Sequence, residues 1–310
     1  MKKVFFTIFL LLFLANNESV AQTDDIQIIL DEGSYFELNE EEVDNFSNKA
    51  LTAYESDKFK QAGLFFIKAF KYSSGRDRPL LYNGLNSFIS AEDVDNATVC
   101  YDKFLEVGID DLKKKELLKL HKNMAIIYDT QNDSEKFFQV IDRAIVLNEN
   151  EIDFFLIKAN NYFKTGDTTN FMLNLNKVHQ IDPKHFNTNY NLGFLYYEKG
   201  DFNKSKYHYQ KALKANKKSE AANLNYAVLL LSQENEIIEE MNSLGVSGED
   251  SKKYDALKKQ REKIHKSAIP YLKKVLKINS KNTEVIKTLT AIYQGLGYDK
   301  KIEKLKKQTS

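Results

Sequence analysis

The sequence predicts an all-α fold, an α-solenoid of about seven repeated helix pairs. Three observations carry the prediction. The 310 residues contain only 3 prolines, far below the roughly 5% of average usage, so long stretches are free to be helical and the Pro/Gly turns of an all-β sandwich are missing. The 17 Tyr and 21 Phe supply the apolar surface that disordered chains lack. A helix-sized pattern recurs along the chain at intervals near 34 residues, the mark of a repeat architecture.

At the N-terminus, residues 1–21 read as a signal peptide. Lys2 and Lys3 are basic, Val4 to Ala15 is apolar but for Thr7, and Ser19-Val20-Ala21 supplies the small residues a signal peptidase reads before Gln22. The run is too short for a membrane span, and the expected mature chain has no transmembrane segment. Residues 22–44 form an acidic lead-in, with Asp24, Asp25, Asp31, Glu32, Glu37 and Glu40–Glu42 around the apolar Ile26–Leu30. Charge is graded along the expected mature chain: residues 22–60 carry 3 basic and 11 acidic side chains, 61–200 carry 17 and 19, and 201–310 carry 23 and 13. Such asymmetry could orient the protein on a partner or drive self-association end to end. Cys100 is the one cysteine, which excludes a disulfide framework and a Cys-based zinc site; it falls in a helical pattern as a small core residue.

Residues 45–308 hold the repeats. The clearest unit runs Asn191-Leu192-Gly193-Phe194-Leu195-Tyr196-Tyr197-Glu198-Lys199-Gly200-Asp201-Phe202, followed by Ser205, Tyr209 and Ala212. Two antiparallel helices can approach closely where each carries a small residue, here Gly193 and Ser205, and Gly200 supplies the left-handed cap of the first helix. The small position of the second helix recurs at Ala62, Ala97, Phe137, Phe171, Ser205, Ala268 and Ile302, at spacings of 35, 40, 34, 34, 63 and 34. Phe137, Phe171 and Ile302 are bulky and are expected to open their pairs locally. The pattern resembles the tetratricopeptide repeat (TPR). The leader and the Asn/Lys/Phe-rich composition are similar to exported repeat proteins of Bacteroidota-type bacteria, which implies a periplasmic or secreted location.

The interval of 63 places 29 extra residues in repeat six. Ala227, Leu230, Ile237, Met241 and Leu244 make one heptad-like seam, with Glu234 in its empty slot. Tyr254, Leu257, Ile264, Ala268, Tyr271, Val275 and Ile278 make a second, with Arg261 in its empty slot. The expectation is an antiparallel coiled-coil finger over 232–263, an inserted helical hairpin. Facing Ala227 to Ala268 sets Met241 opposite Tyr254 and Glu234 opposite Arg261 and predicts an ion pair. Each arm of about fourteen residues should project roughly 20 Å. Pro270 either kinks the returning helix near Lys266 or restarts it.

No phosphate loop, His-Glu-x-x-His or Gly-x-Ser-x-Gly pattern occurs. His179 and His185 bracket Asp182-Pro183, as solvated loop residues or, less simply, a metal pair. The expectation is a non-enzymatic chain with no cofactor and no metal. The resemblance implies that the first helix of each pair lines a groove for a protein or peptide partner. Its residues would be Lys122 and Ile126, then Asn160 and Phe163, then Tyr190, Phe194 and Tyr197, then Leu224 and Val228. The cations with which relatives clamp chaperone tails are not matched, since Leu156 and Ala221 occupy their places. The reading is an envelope scaffold or adaptor with no nucleic-acid partner; the alternative is an accessory module holding a peptide or glycan for an envelope enzyme or transport system.

Overall fold

The computed structural model describes residues 30, 35–108 and 113–309; the expected signal peptide, most of residues 22–34 and the segment 109–112 lie outside them. The described residues divide into two compact units, Met1–Glu149 and Asn150–Ser310.

Among its described residues the first unit has three helix pairs: α1 (Glu40–Glu55) with α2 (Phe59–Tyr72), α3 (Arg78–Ser90) with α4 (Val94–Val107), and α5 (Lys114–Thr130) with α6 (Ser134–Leu147). Helix α1 starts within the stretch expected as lead-in. Asn39 caps it by accepting from the Glu42 amide, and Glu40–Glu42 sit against the positive end of its dipole. The residues just before it are tied to α2: the Asn39 amide donates to the Tyr72 carbonyl at 3.1 Å, and Phe36 packs on Tyr72. The core is aromatic, with Phe70, Phe88, Tyr101, Phe104, Tyr128 and Phe137 buried. Cys100 is fully buried there, and burial drives its thiol pKa upward. Pro79 falls in the first turn of α3, where its missing N–H costs nothing.

The second unit pairs α7 (Ile152–Lys164) with α8 (Thr168–Ile181), α9 (Phe186–Glu198) with α10 (Phe202–Ala215), α11 (Glu220–Ser232) with α13 (Gly248–Ile278), and α14 (Thr283–Gly295) with α15 (Asp299–Thr309). A short α12 (Glu234–Ser243) lies between α11 and α13.

One device starts four of the second helices. Asp93, Asp133, Asp167 and Asp201 each cap by accepting from the amide three residues on. The residue before each Asp has positive φ: Glu92, Asn132, Gly166 and Gly200. Asp57 takes the corresponding place in the first pair. The left-handed residue ends the first helix and the Asp begins the second.

Gly193 shows why the repeat needs a small residue. A Cβ there would stand 2.7 Å from the Tyr209 ring, and Ser205 Oγ donates to the Gly193 carbonyl at 2.8 Å. Two buried amides bind the loops between pairs. Asn189 Nδ2 donates to the Pro183 and His185 carbonyls, and Asn223 Nδ2, one repeat later, to those of Lys217 and Ser219.

Repeat six omits the left-handed turn. Glu234 stands 34 residues after Gly200, and it opens α12 as a helical residue instead of turning the chain back. Gln233 before it is right-handed too, at φ −68°, ψ −11°, so the chain passes from α11 into α12. The return helix α13 is one helix of 31 residues with Pro270 inside it; the second helix of this pair does not restart at the proline.

Candidate interaction face

The face is built from register. Asn160, Phe194 and Val228 occupy one position on α7, α9 and α11, 34 residues apart. A helix packed on its neighbours should bury its apolar residues, yet Phe194 and Val228 are 46% and 43% exposed and Asn160 is exposed. Phe163, one turn beyond Asn160, is 66% exposed. In the first unit Ile126 holds the same register position on α5 and is 51% exposed.

Other expected groove residues have internal work. Tyr190 is half-buried, stacks on Phe186 at 6.2 Å and accepts from Asn225 Nδ2 at 3.0 Å through its hydroxyl. Burial raises its pKa, and the Asn225 contact offsets part of this. Tyr197 lies 5.9 Å from the Phe202 ring, and Leu224 packs on the core. Lys122 is half-buried on α5. The freely presented apolar side chains of the second unit's face are therefore Phe163, Phe194 and Val228.

A cavity of 320 Å³ opens beside them. Leu156, Asn160 and Phe163 of α7, Phe171 and Leu175 of α8, and Asn191 of α9 line it. Phe171 is the bulky residue in the small slot of its pair, and its ring stands 5.3 Å from that of Phe163. Apolar walls with two amides can hold a side chain or a ring and fix it by hydrogen bonds.

At the insertion, Glu234 Oε2 accepts from Arg261 Nε at 3.0 Å and lies 2.7 Å from His265 Nε2. Glu240 pairs with Lys253 at 2.8 Å. Met241 is half-buried and Tyr254 is 45% exposed. No residue of α12 is buried.

The histidines fall differently from the sequence expectation. His185 caps α9 with Nδ1, 2.7 Å from the Thr188 hydroxyl. His179 meets His208, ring centres 4.8 Å apart, and His208 stacks on Tyr196. Burial, then the neighbouring His179 and Lys211, lower the His208 pKa to about 4. In the first unit His121 Nδ1 lies 2.8 Å from the Tyr101 hydroxyl, and burial with Arg143 lowers its pKa to about 4. Spacing in sequence misses the His179–His208 pair because the α9 helix separates them along the chain. Among the described residues no three His, Cys, Asp or Glu side chains gather as a metal site, and no helix is long and apolar enough to cross a membrane.

Residues 186–219, which span α9, α10 and the loop that follows, match the family model of the tetratricopeptide repeat. No curated protein sequence matches the chain. Several solved structures align with the chain at low identity. MamA is 15% identical over 63% of this chain and 91% of its own, with a TM-score of 0.44. YrrB, described as a TPR protein with an unusual peptide-binding site, is 19% identical over 57% of this chain and 88% of its own, at 0.42. The C-terminal part of a TPR repeat-containing protein from Cytophaga hutchinsonii is 14% identical over 78% of this chain and 98% of its own, at 0.46.

Proposed function

We propose that the chain, whose residues 186–219 match the tetratricopeptide repeat model, is a tetratricopeptide-repeat protein serving as a non-enzymatic interaction scaffold of the cell envelope. The observation that carries this is the row of exposed apolar side chains, Phe163, Phe194 and Val228, on successive first helices. Keeping large apolar groups in water costs roughly 1.5–3 kcal/mol each relative to burial. A partner peptide or helix that covers them recovers that energy, and rigid aromatics are the side chains that dominate such contacts. The leader of residues 1–21 supports export to the periplasm, and the finger offers a second contact surface.

Affinity capture from the native envelope tests the reading, using the wild type, a 232–263 deletion and a Phe194→Ala/Tyr197→Ala variant. The groove variant should lose at least one partner that the wild type holds. If all three retain the same proteins, neither surface binds them. The cavity of Asn160, Asn191 and Phe163 favours a second reading, an accessory module that holds a peptide or glycan substrate, because aromatic platforms beside amides suit sugar rings as well as peptides. Binding on a glycan array with no captured protein selects that reading.

A further inference from the structure

We propose a further docking site, separate from the groove and the finger, in which a lysine-lined trough at the C-terminal end of the second unit takes an acidic amphipathic peptide.

The trough encloses 540 Å³ between α13, α14 and α15, within the range of about 300–1,000 Å³ typical of ligand sites. Its floor is apolar: Leu276 of α13, Leu289 and Tyr293 of α14, and Leu305 of α15. Its two sides are cationic. Lys273 and Lys277 stand one turn apart on α13, and Lys301 and Lys304 stand one turn apart on α15. Among the described residues no carboxylate lines it.

Lysines on a helical surface can pair with carboxylates three or four residues away, and elsewhere in this chain they do, as Lys204 does with Asp201 and Lys266 with Glu262. Here they do not. Lys273, Lys277 and Lys304 are exposed and have no carboxylate partner among the described residues. Lys301 lies 3.9 Å above the Tyr298 ring, a contact that leaves its charge uncompensated. From Pro270 to Ser310 the chain holds ten lysines against three carboxylates, Glu284, Asp299 and Glu303. Four like charges around an apolar floor repel one another and focus a positive potential over it.

The occupant follows from the geometry of the charge. Cations contributed by two separate helices to one apolar trough fit a ligand with an apolar ridge and several carboxylates spread along it. An amphipathic helix or strand of Glu and Leu has that form. An anionic lipid carries its charge at one end only and cannot spread it over lysines from both helices.

Fluorescence anisotropy on the full chain tests the proposal. The probe is a labelled helical peptide with a leucine ridge flanked by glutamates; the comparison probes are its Glu→Lys counterpart and phosphatidylglycerol vesicles. The acidic peptide should bind, and its affinity should fall as salt rises. A Lys277→Glu/Lys304→Glu variant should bind at least tenfold more weakly, and the Phe194→Ala/Tyr197→Ala variant should bind as the wild type does. The substituted lysines are exposed, so unchanged thermal unfolding by circular dichroism confirms that the variant is folded. Equal binding of the lysine peptide, preference for vesicles, or insensitivity to the Lys277/Lys304 change would overturn the site.

Discussion

Gly193 is where backbone and side chain meet most tightly. Its absent Cβ leaves room for the Tyr209 ring 2.7 Å from where that atom would stand, so Gly193→Ala must push apart α9 and α10. We expect a loss of about 1–3 kcal/mol, the usual cost of overpacking, read as a lower urea midpoint. The turns give the opposite sign. Glu92 holds φ +55°, a conformation that costs a side chain roughly 1 kcal/mol and glycine nothing. Glu92→Gly should therefore stabilise the first unit by up to about 1 kcal/mol; a lower melting temperature would contradict this. The sequence shows the turn at Gly166 and Gly200 but hides it at Asp57, Glu92 and Asn132, because the residue that announces a left-handed turn is glycine and these are not. Buried histidines set a pH dependence. His121 and His208 have folded pKa values near 4 against about 6.5 unfolded. Between those values the unfolded chain binds more protons, so stability is present above pH 6.5 and declines as pH falls toward 4. Each histidine should contribute roughly 2 kcal/mol to the loss between pH 7 and pH 5. Denaturation midpoints at the two pH values check this, and His208→Gln should flatten the slope.

At the scale of elements, the helix pairs are legible because each second helix carries a small or apolar residue at a fixed interval, and burial enforces that interval. The start of α1 at Glu40 is not, because the acidic run reads as solvated lead-in unless Asn39 is recognised as its cap. In repeat six the two heptad seams are readable, and so are their polar interruptions at Glu234 and Arg261. His265, which joins Glu234 at 2.7 Å, gives no such signal, because it lies one turn beyond the interrupted slot. The register that faces Glu234 with Arg261 also faces Met241 with Tyr254. A Met241→Cys/Tyr254→Cys variant should close a disulfide on mild oxidation, and a failure to bridge argues for another register. Helix α12 buries no residue, so its amides should exchange with solvent well before those around Leu257, Ala268 and Val275 of α13, which are buried. Hydrogen exchange with mass spectrometry resolves the difference.

For the whole molecule, net charge near zero conceals its own distribution. The chain sums to +1, yet the last third holds 23 basic and 13 acidic side chains, and the lysine trough is where that excess gathers around an apolar floor. The excess can be counted in the sequence. The trough cannot be seen there, since its lysines come from helices α13 and α15, and only folding brings Lys273 and Lys277 to one cavity with Lys301 and Lys304. Repeat arrays pass strain mainly to their neighbours. Gly193→Ala should therefore weaken exchange protection in α9, α10 and α11 and leave α1 to α4 as they were. A uniform loss across both units would show a single cooperative block instead.

The missing turn at Glu234 has a consequence for how this chain can vary. Position 234 is where the period of 34 from Gly200 would bend the chain back, and there the chain goes on as α12. The insertion thus begins with a stop signal withheld, and the packing of α11 on α13 below it does not depend on how far the arms run. Restoring Gly-Asp after Gln233 and joining it to the base of α13 should yield an ordinary repeat, while adding one heptad to each arm keeps both seams in phase. The arm length is a free parameter of the architecture, and a reach toward a partner can be set by it without redesigning the repeats that carry it.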